Sequence, residues 1–409
     1  RWRSPQGIHT KHVEIPFSSS PPQVHDISYT NKPNTPESPD FSDSTLLEEQ
    51  QQQLSDLIRL FSNVVSTNPG RTNKIQHHID IQPGNKPRNS APYRHSPARR
   101  QIIESNLNEM LQEVNIPANA KWTQNGVTVA GGNGEGGATN QLQYPFGLFV
   151  DDDQTVVIAD FRNHRIMQWK NGDTTNGQVV AGGKGAGNGL HQLNGPSDVL
   201  IDKETDSLII CDDKRVVRWS RRSGTKQGEV LIDSITCVGL AMDEHGYLYV
   251  SDVSKHEVRR YLLGEKNGTL MAGGNGQGAG LNQLNFPAFL FVDGHQNVYA
   301  SDNNNNRVMK WNKGAKEGIV VAGGQGRGSA LTQLDGPNGL FVDTLGTLYV
   351  ADSGNHRVMR WTQGAKQGTV IVGGNGRGAG VNQFTYPYGL SSDRNGSLYV
   401  AEMGNNRVQ

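Results

Sequence analysis

The sequence predicts an all-β fold, a six-bladed β-propeller that occupies residues 121–409. Five prolines are spaced by about 50 residues or a near multiple of 50, which indicates a repeat of that length. Such a period is typical of stacked structural units. Each repeat contains four short apolar runs of strand length, and the repeats lack the 3.6-residue periodicity of a helix. Four strands per repeat are typical of a propeller blade. The marker prolines are Pro145, Pro196, Pro287, Pro337 and Pro387.

The repeat at residues 336–380 shows how each strand is predicted. Its runs GLFVD and TLYVAD are separated by a turn at residues 344–346, so they form a hairpin. Residues 357–361 alternate as a half-buried strand does, and residues 369–372 end in a Gly-Gly pair. Each unit is therefore four antiparallel strands.

The ends of the repeat region predict how the ring closes. The last repeat stops at Gln409, where the other repeats continue to a Trp and a Gly-Gly strand, and residues 121–132 supply that continuation. We expect residues 126–130 to form the outermost strand of the blade built from residues 386–409. A propeller closed by its N- and C-terminal strands has no exposed edge at that joint. The six blades begin near Tyr144, Gly195, Cys237, Phe286, Gly336 and Tyr386.

A different composition precedes the repeats. Of the 50 glycines 47 follow Ala120, whereas 13 of the 18 prolines precede it, so the chain divides there. Residues 1–43 are poor in aliphatic side chains and are predicted to be disordered, because they cannot bury enough apolar surface to offset the entropy of ordering. Residues 44–120 are predicted to be partly helical, with apolar faces over 45–65 and 96–113.

Part of this N-terminal region resembles a mobile-element protein. The stretches NPGRTNKIQHHID (68–80) and APYRHSPARRQIIESNLNEMLQEVNIP (91–117) resemble gypsy-type retroelement polyproteins just ahead of their reverse transcriptase. The catalytic palm that follows in that family is missing, because the chain passes at Lys121 into the repeats. Asp151 and Asp152 do not replace it, since a turn aspartate that bonds its own backbone recurs at this repeat position. Its equivalents are Asp202, Asp243, Asp293, Asp343 and Asp393.

Charge and cysteine content limit the function classes. The 39 basic and 39 acidic residues cancel, so no whole-molecule field attracts nucleic acid or anionic membrane. Cys211 and Cys237 are too few for a disulfide scaffold or a four-thiolate zinc module. The sequence contains no run of 18 apolar residues, so it does not predict a helix that spans a membrane. We expect a monomeric propeller without a membrane partner and favour a cytoplasmic location. Secretion stays open, because a start at Arg1 suggests an incomplete N-terminus.

Several recurring phrases in residues 121–409 resemble the NHL repeat, a family of six-bladed propellers. The phrases are PxGLxxD, LYVADSGNHRV and VxGG, and one aromatic position stays in register with them. Many members of that family join the propeller to a zinc-binding ubiquitin-ligase module, which implies a role as substrate receptor. Two cysteines cannot form the two-zinc RING site of such a module. The aromatic position holds Trp169, Trp219, Tyr261, Trp311 and Trp361.

The ligand face is predicted from strand alternation. The Gly-rich connections between blades and the turns after each second strand emerge on the same face, which is the best binding surface. A structural role competes for these residues, because turn Asp and Asn bond nearby amides and Arg pairs with Asp. The candidates in the turns are Asn163, His164, His256, Asn305, Asn306, Asn355, His356, Asn405 and Asn406. Those in the connections are Lys184, Arg327 and Arg377.

The predicted function is a non-enzymatic scaffold that binds a protein or peptide without a cofactor. Single-stranded RNA is an alternative ligand that the NHL resemblance implies. The basic connection residues support it weakly, because Glu135 and Gln277 occupy the same place in other blades. A second alternative is a zinc site like that of the amidating lyase, which has a similar fold, formed by His164, His256 and His356. Strand spacing puts these residues about 15 Å apart, whereas zinc needs nitrogens at about 2 Å. No metal ligand or catalytic residue is predicted.

Overall fold

The computed structural model describes Ile116 and residues 120–173, 175–222 and 224–409. In this part of the chain the strands form six antiparallel four-stranded sheets, which confirms the predicted six-bladed propeller. The predicted disorder of residues 1–43, the helical faces at 45–65 and 96–113 and the retroelement resemblance lie outside the described residues. No helix in the described part is both long and apolar enough to span a membrane.

The strands follow one another from the axis outward in each blade. Blade 1 contains β2 (Pro145–Val150), β3 (Val156–Asp160), β4 (Arg165–Trp169) and β5 (Gln178–Gly182). Blade 2 contains β6 (Asp198–Asp202), β7 (Ser207–Asp212), β8 (Arg215–Ser220) and β9 (Glu229–Asp233). Blade 3 contains β10 (Cys237–Met242), β11 (Tyr247–Asp252), β12 (Glu257–Leu262) and β13 (Thr269–Gly273).

The second half of the ring repeats this order. Blade 4 contains β14 (Pro287–Val292), β15 (Val298–Asp302), β16 (Arg307–Trp311) and β17 (Ile319–Gly323). Blade 5 contains β18 (Pro337–Val342), β19 (Leu348–Asp352), β20 (Arg357–Trp361) and β21 (Thr369–Gly373). Blade 6 contains β22 (Pro387–Ser392), β23 (Leu398–Glu402), β24 (Arg407–Val408) and β1 (Ala130–Gly131).

Blade 6 closes the ring with strands from both ends of the propeller, as predicted. In β1, Ala130 pairs with Val408 and Gly131 pairs with Arg407. The strand is shorter than the predicted 126–130, because β24 offers only two residues for pairing. The Gly126 amide bonds the Val381 carbonyl instead, at 2.7 Å.

The core lies between blades rather than within them. In the described residues six apolar clusters each combine side chains from two adjacent blades. The recurring aromatic residue packs into these clusters, so Trp311 of blade 4 contacts the apolar side chains of blade 3. Ile116, which precedes the predicted boundary at residue 121, packs in the cluster between blades 5 and 6. Each blade is thus stabilised by apolar burial against its two neighbours.

One interblade link was not predicted from the sequence. Cys211 in β7 and Cys237 in β10 form a disulfide, with their Cα atoms 5.4 Å apart. This Cα separation is ordinary for a disulfide. The bond joins blade 2 to blade 3, where the chain has only three residues between β9 and β10.

Candidate ligand-binding face

The propeller has two faces with different kinds of loop. The loop face carries the turns after each second strand and the Gly-rich connections between blades. The hairpin face carries the turns after each first and third strand. On the loop face, short 3₁₀ turns follow β3, β15 and β19 at Phe161–Asn163, Asn303–Asn305 and Ser353–Asn355. All the predicted candidate residues lie in the turns or connections of the loop face.

One residue in each of five turns has a left-handed backbone, and its side chain links two blades. His164, for example, has a φ of 52°, and its Nδ1 accepts a hydrogen bond from the Gly195 amide, where blade 2 begins. In the other four turns the side chain likewise accepts from a backbone amide of the next blade, at 2.9 to 3.2 Å. The side chains and the amides are His256 and Phe286, Asn306 and Gly336, His356 and Tyr386, and Asn406 and Tyr144.

The preceding asparagine ties the same turns to the Gly-rich connections. In blade 5, the Asn355 amide donates to the Gly328 carbonyl and to the Asp352 carboxylate, both at 2.8 Å. The structure therefore gives this asparagine position a structural bond in four blades. Equivalent bonds join Asn163 to Gly136, Asn305 to Gly278 and Asn405 to Gly378.

A buried ion pair holds each of five turns. In blade 5, Arg357 Nε lies 2.7 Å from Asp352 Oδ2, and its Nη1 donates to the Ser329 carbonyl at 2.8 Å. Burial raises the pKa of Asp352, although the Arg357 guanidinium and the hydrogen bonds act in the opposite direction. The same pair recurs as Arg165 with Asp160, Arg215 with Asp212, Arg307 with Asp302, and Arg407 with Glu402.

The three basic candidates in the connections lie on separate parts of the ring. Lys184 is exposed in the connection between blades 1 and 2. Arg327 pairs with Asp335 at 2.8 Å, and the Arg377 guanidinium lies 5.1 Å from the centre of the Tyr386 ring. The structure does not bring Lys184 together with the two arginines.

The three histidines of the zinc hypothesis occupy blades 1, 3 and 5. Each one bonds the backbone of its next blade through Nδ1. Burial and the nearby Arg377 lower the pKa of His356. The described residues contain no group of three or more His, Cys, Asp or Glu side chains placed to hold a metal ion.

The turn aspartates lie on the hairpin face and bond their own turns, as predicted. Asp343 Oδ1 accepts from the Leu345 and Thr347 amides at 3.0 and 2.8 Å. Its other oxygen accepts from the Tyr349 hydroxyl at 3.1 Å. The Asp151 Oδ1 likewise accepts from the Asp152 amide at 2.9 Å, which is a turn contact rather than a paired metal site.

A central cavity of about 1840 Å³, which was not expected from the sequence, is lined by the inner strands and their turns on the hairpin face. Asp198 lines it and is 7% exposed. Its carboxylate accepts from the Val199 and Leu240 amides, and burial raises its pKa to about 7. The sequence did contain a signal for Asp198. This residue departs from the PxGL phrase at the position where blade 1 has Gly147. A Cβ on Gly147 would clash with the Asp198 carboxylate and would lie 2.8 Å from the Asp198 Cα, so the two strands need this glycine.

Comparison with known proteins agrees with this architecture. Residues 334–360 match the family model described as NHL repeat. A Bacteroides thetaiotaomicron protein of unknown function has a TM-score of 0.56 and 18% identity, covering 69% of this chain and 74% of its own. An auxiliary nutrient binding protein from that organism has a TM-score of 0.52 and 16% identity, with coverages of 66% and 68%.

A further solved structure is a putative phosphatase, also from Bacteroides thetaiotaomicron. It has a TM-score of 0.53 and 13% identity, covering 73% of this chain and 76% of its own. No curated protein matches the chain. At these identities the likeness shows the fold alone. The chain is therefore a six-bladed β-propeller that contains a match to the NHL repeat.

Proposed function

We propose that this propeller is a non-enzymatic binding module that holds a protein or peptide on its loop face. One observation carries the proposal: one position in the Gly-rich connections holds exposed side chains of different chemistry in different blades. In five connections the backbone at this position is fixed by a β-bridge to a buried leucine or phenylalanine. Loops fixed on a rigid scaffold are well suited to recognition. The residues at this position are Glu135, Ala186, Gln277, Arg327 and Arg377.

The mixture of charges at this position favours a protein ligand over RNA. Binding of single-stranded RNA needs clustered positive charge together with aromatic side chains that stack on bases. Arg327 and Arg377 are accompanied by Glu135 and by two uncharged residues around the ring. One fold relative is an auxiliary nutrient binding protein. Its binding role agrees with the proposal, although the relation is one of fold.

The narrower role of substrate receptor for ubiquitin ligation rests on the resemblance to NHL proteins. The ligase activity would come from a partner or from a segment that precedes Arg1, since two cysteines cannot build a RING site. We expect that a partner captured on the loop face would bring ubiquitin-ligase activity into the complex. Assay of the captured complex for ubiquitin transfer tests this role.

Selection from a random peptide library on the 409-residue protein tests the main proposal. We expect the enriched peptides to lose affinity for an Arg327→Ala, Arg377→Ala double variant. They should keep affinity for Lys203→Ala, a matched control that removes an exposed ion pair with Asp152 on the hairpin face. Failure to enrich peptides, or equal loss in the control, would overturn the proposal. Salt-sensitive capture of random single-stranded RNA in a filter-binding titration would favour the RNA alternative.

A further inference from the structure

Five blades share an internal guanidinium site at the end of the second strand. In blade 4, Arg307 Nε lies 2.6 Å from Asp302 Oδ2. Its Nη1 and Nη2 donate to the Ala279 and Gly280 carbonyls of the preceding Gly-rich connection, both at 2.9 Å. The site thus consists of one carboxylate and a set of carbonyl oxygens around a planar cation. Such a site matches the fork geometry of arginine.

Blade 3 keeps the acid of this site but lacks its arginine. Asp252 stands at the acidic position, and Glu257 occupies the position that holds arginine in the other blades. The two residues are direct partners across β11 and β12, and they are only 1% and 5% exposed. Like charges directly opposite on neighbouring strands are unfavourable. The blade therefore buries two carboxyl groups where its neighbours bury one acid and one base.

The Gly-rich connection is missing at the same junction. Residues 234–236 alone join β9 to β10, so the carbonyl oxygens that bind arginine in the other blades have no counterpart there. The arginine and its carbonyl acceptors are absent together. We call the cluster formed by Asp252, Lys255, Glu257 and residues 234–236 the blade 3 notch.

One oxygen in the blade 3 notch lacks a hydrogen-bond donor. Asp252 Oδ2 is buried and makes no hydrogen bond, whereas Oδ1 accepts from the Ser254 hydroxyl at 2.7 Å. The Lys255 ammonium lies 3.7 Å from Oδ2 on a side chain that is 60% exposed. Glu257 is paired with Arg259 at 2.6 Å. A buried carboxylate oxygen without a donor is costly, so a donor that reached it would bind favourably.

We propose that the blade 3 notch binds the guanidinium of an arginine supplied by a protein or peptide ligand. The guanidinium donates to Asp252 Oδ2, in the place that the protein's own arginine takes in five blades, and the exposed Lys255 side chain moves aside. Arginine is favoured over lysine because its fork can donate to Asp252 Oδ2 and to the Glu257 carboxylate opposite it. The Lys255 ammonium is adjacent yet makes no hydrogen bond to Oδ2. This inference rests on the proposed function and names the chemistry of its ligand.

Labelled nona-arginine and nona-lysine peptides provide the test, because they carry equal charge on different cationic groups. Fluorescence anisotropy with the 409-residue protein should show tighter binding of nona-arginine. Glu257→Arg would supply an internal guanidinium to Asp252, so we expect it to weaken nona-arginine binding by about tenfold or more without lowering the melting temperature. Equal affinity for the two peptides, or unchanged binding by Glu257→Arg, would overturn the inference.

Two further variants guard against misfolding and against binding elsewhere. Lys255→Ala removes the competing ammonium and should strengthen nona-arginine binding, a gain that a misfolded protein would not show. Asp152→Asn on the hairpin face should leave the affinity unchanged, because it lies outside the notch. If Asp152→Asn weakens binding as much as Glu257→Arg does, the peptide binds the acidic hairpin face and the inference is wrong.

The experiments distinguish a failure of this inference from a failure of the proposed function. Library peptides that bind the loop face without arginine, and that bind Glu257→Arg as they bind the wild type, would overturn this inference and leave the proposed function standing. Failure to enrich library peptides that depend on Arg327 and Arg377, combined with preferential nona-arginine binding that Glu257→Arg abolishes, would support the notch and count against the connection residues as the recognition surface.

Discussion

The disulfide at the junction of blades 2 and 3 gives a quantitative prediction about stability. Cys211 and Cys237 are separated by 26 residues along the chain, and closing a loop of that length stabilises a protein by about 3.5 kcal/mol in the chain-entropy description. At about 2 °C per kcal/mol for a large domain, reduction should lower the melting temperature by about 7 °C. The effect should be clear because a disulfide joins the junction that lacks a Gly-rich connection.

Thermal unfolding of the wild type with and without reductant measures this difference without changing any side-chain volume. The matched control is the Cys211→Ala, Cys237→Ala variant, whose melting temperature should not respond to reductant. Both cysteines are buried, at 0% and 3% exposure. The alanine substitutions therefore also leave a cavity that lowers the stability of the variant, whereas the reduced wild type keeps both side chains. Two free thiols in the unfolded, unreduced protein, or a wild-type melting temperature indifferent to reductant, would refute the reasoning.

Three further predictions concern the ion pairs, the central cavity and the ring closure. Arg357→Ala leaves the buried Asp352 without its cation, so the free energy of unfolding in urea should fall by about 3 to 5 kcal/mol; a loss below about 1 kcal/mol contradicts this. Burial raises the pKa of Asp198 from 3.8 to about 7. The folded state therefore retains a proton that the unfolded chain releases, and stability falls by up to about 4 kcal/mol as pH rises from about 4 to 7. The free energy of unfolding of Asp198→Asn should lack this fall between about pH 4 and 7. If the free energies of unfolding of the two proteins change in parallel with pH, the prediction is wrong. Deletion of residues 121–143 removes β1 and should lower the melting temperature by many degrees, and an unchanged curve would exclude the closure.

The fold could be predicted because its recurring residues have fixed packing roles. Pro337 begins the inner strand of blade 5, and Trp361 packs into the cluster between blades 4 and 5. Each blade must bury both of its faces against neighbours, so the same side chains recur at the same register. That periodicity is visible in one sequence without any alignment. Closure by residues near 130 followed from the same reasoning, since blade 6 lacked one strand.

The predicted site residues recur for the same physical reason, so their function stays a prediction. His164 and Asn355 recur because they bond neighbouring blades and connections, so their repetition indicated structure as much as function. The cavity residue Asp198 and the Cys211–Cys237 bond could not be predicted from the spacing of the repeats. Both depend on which side chains meet across two blades, and a pattern within one blade does not contain that information.

Positions where one blade departs from the others are therefore the more informative ones in this protein. A single departure can be a neutral loss, but blade 3 shows several that fit one another. Glu257 replaces an arginine, the connection whose carbonyls would bind that arginine is missing, and a disulfide joins the same junction. The disulfide restores the link between blades, yet it supplies no donor to Asp252. Stability thus explains the disulfide, whereas the proposed arginine ligand would satisfy the buried acid of blade 3.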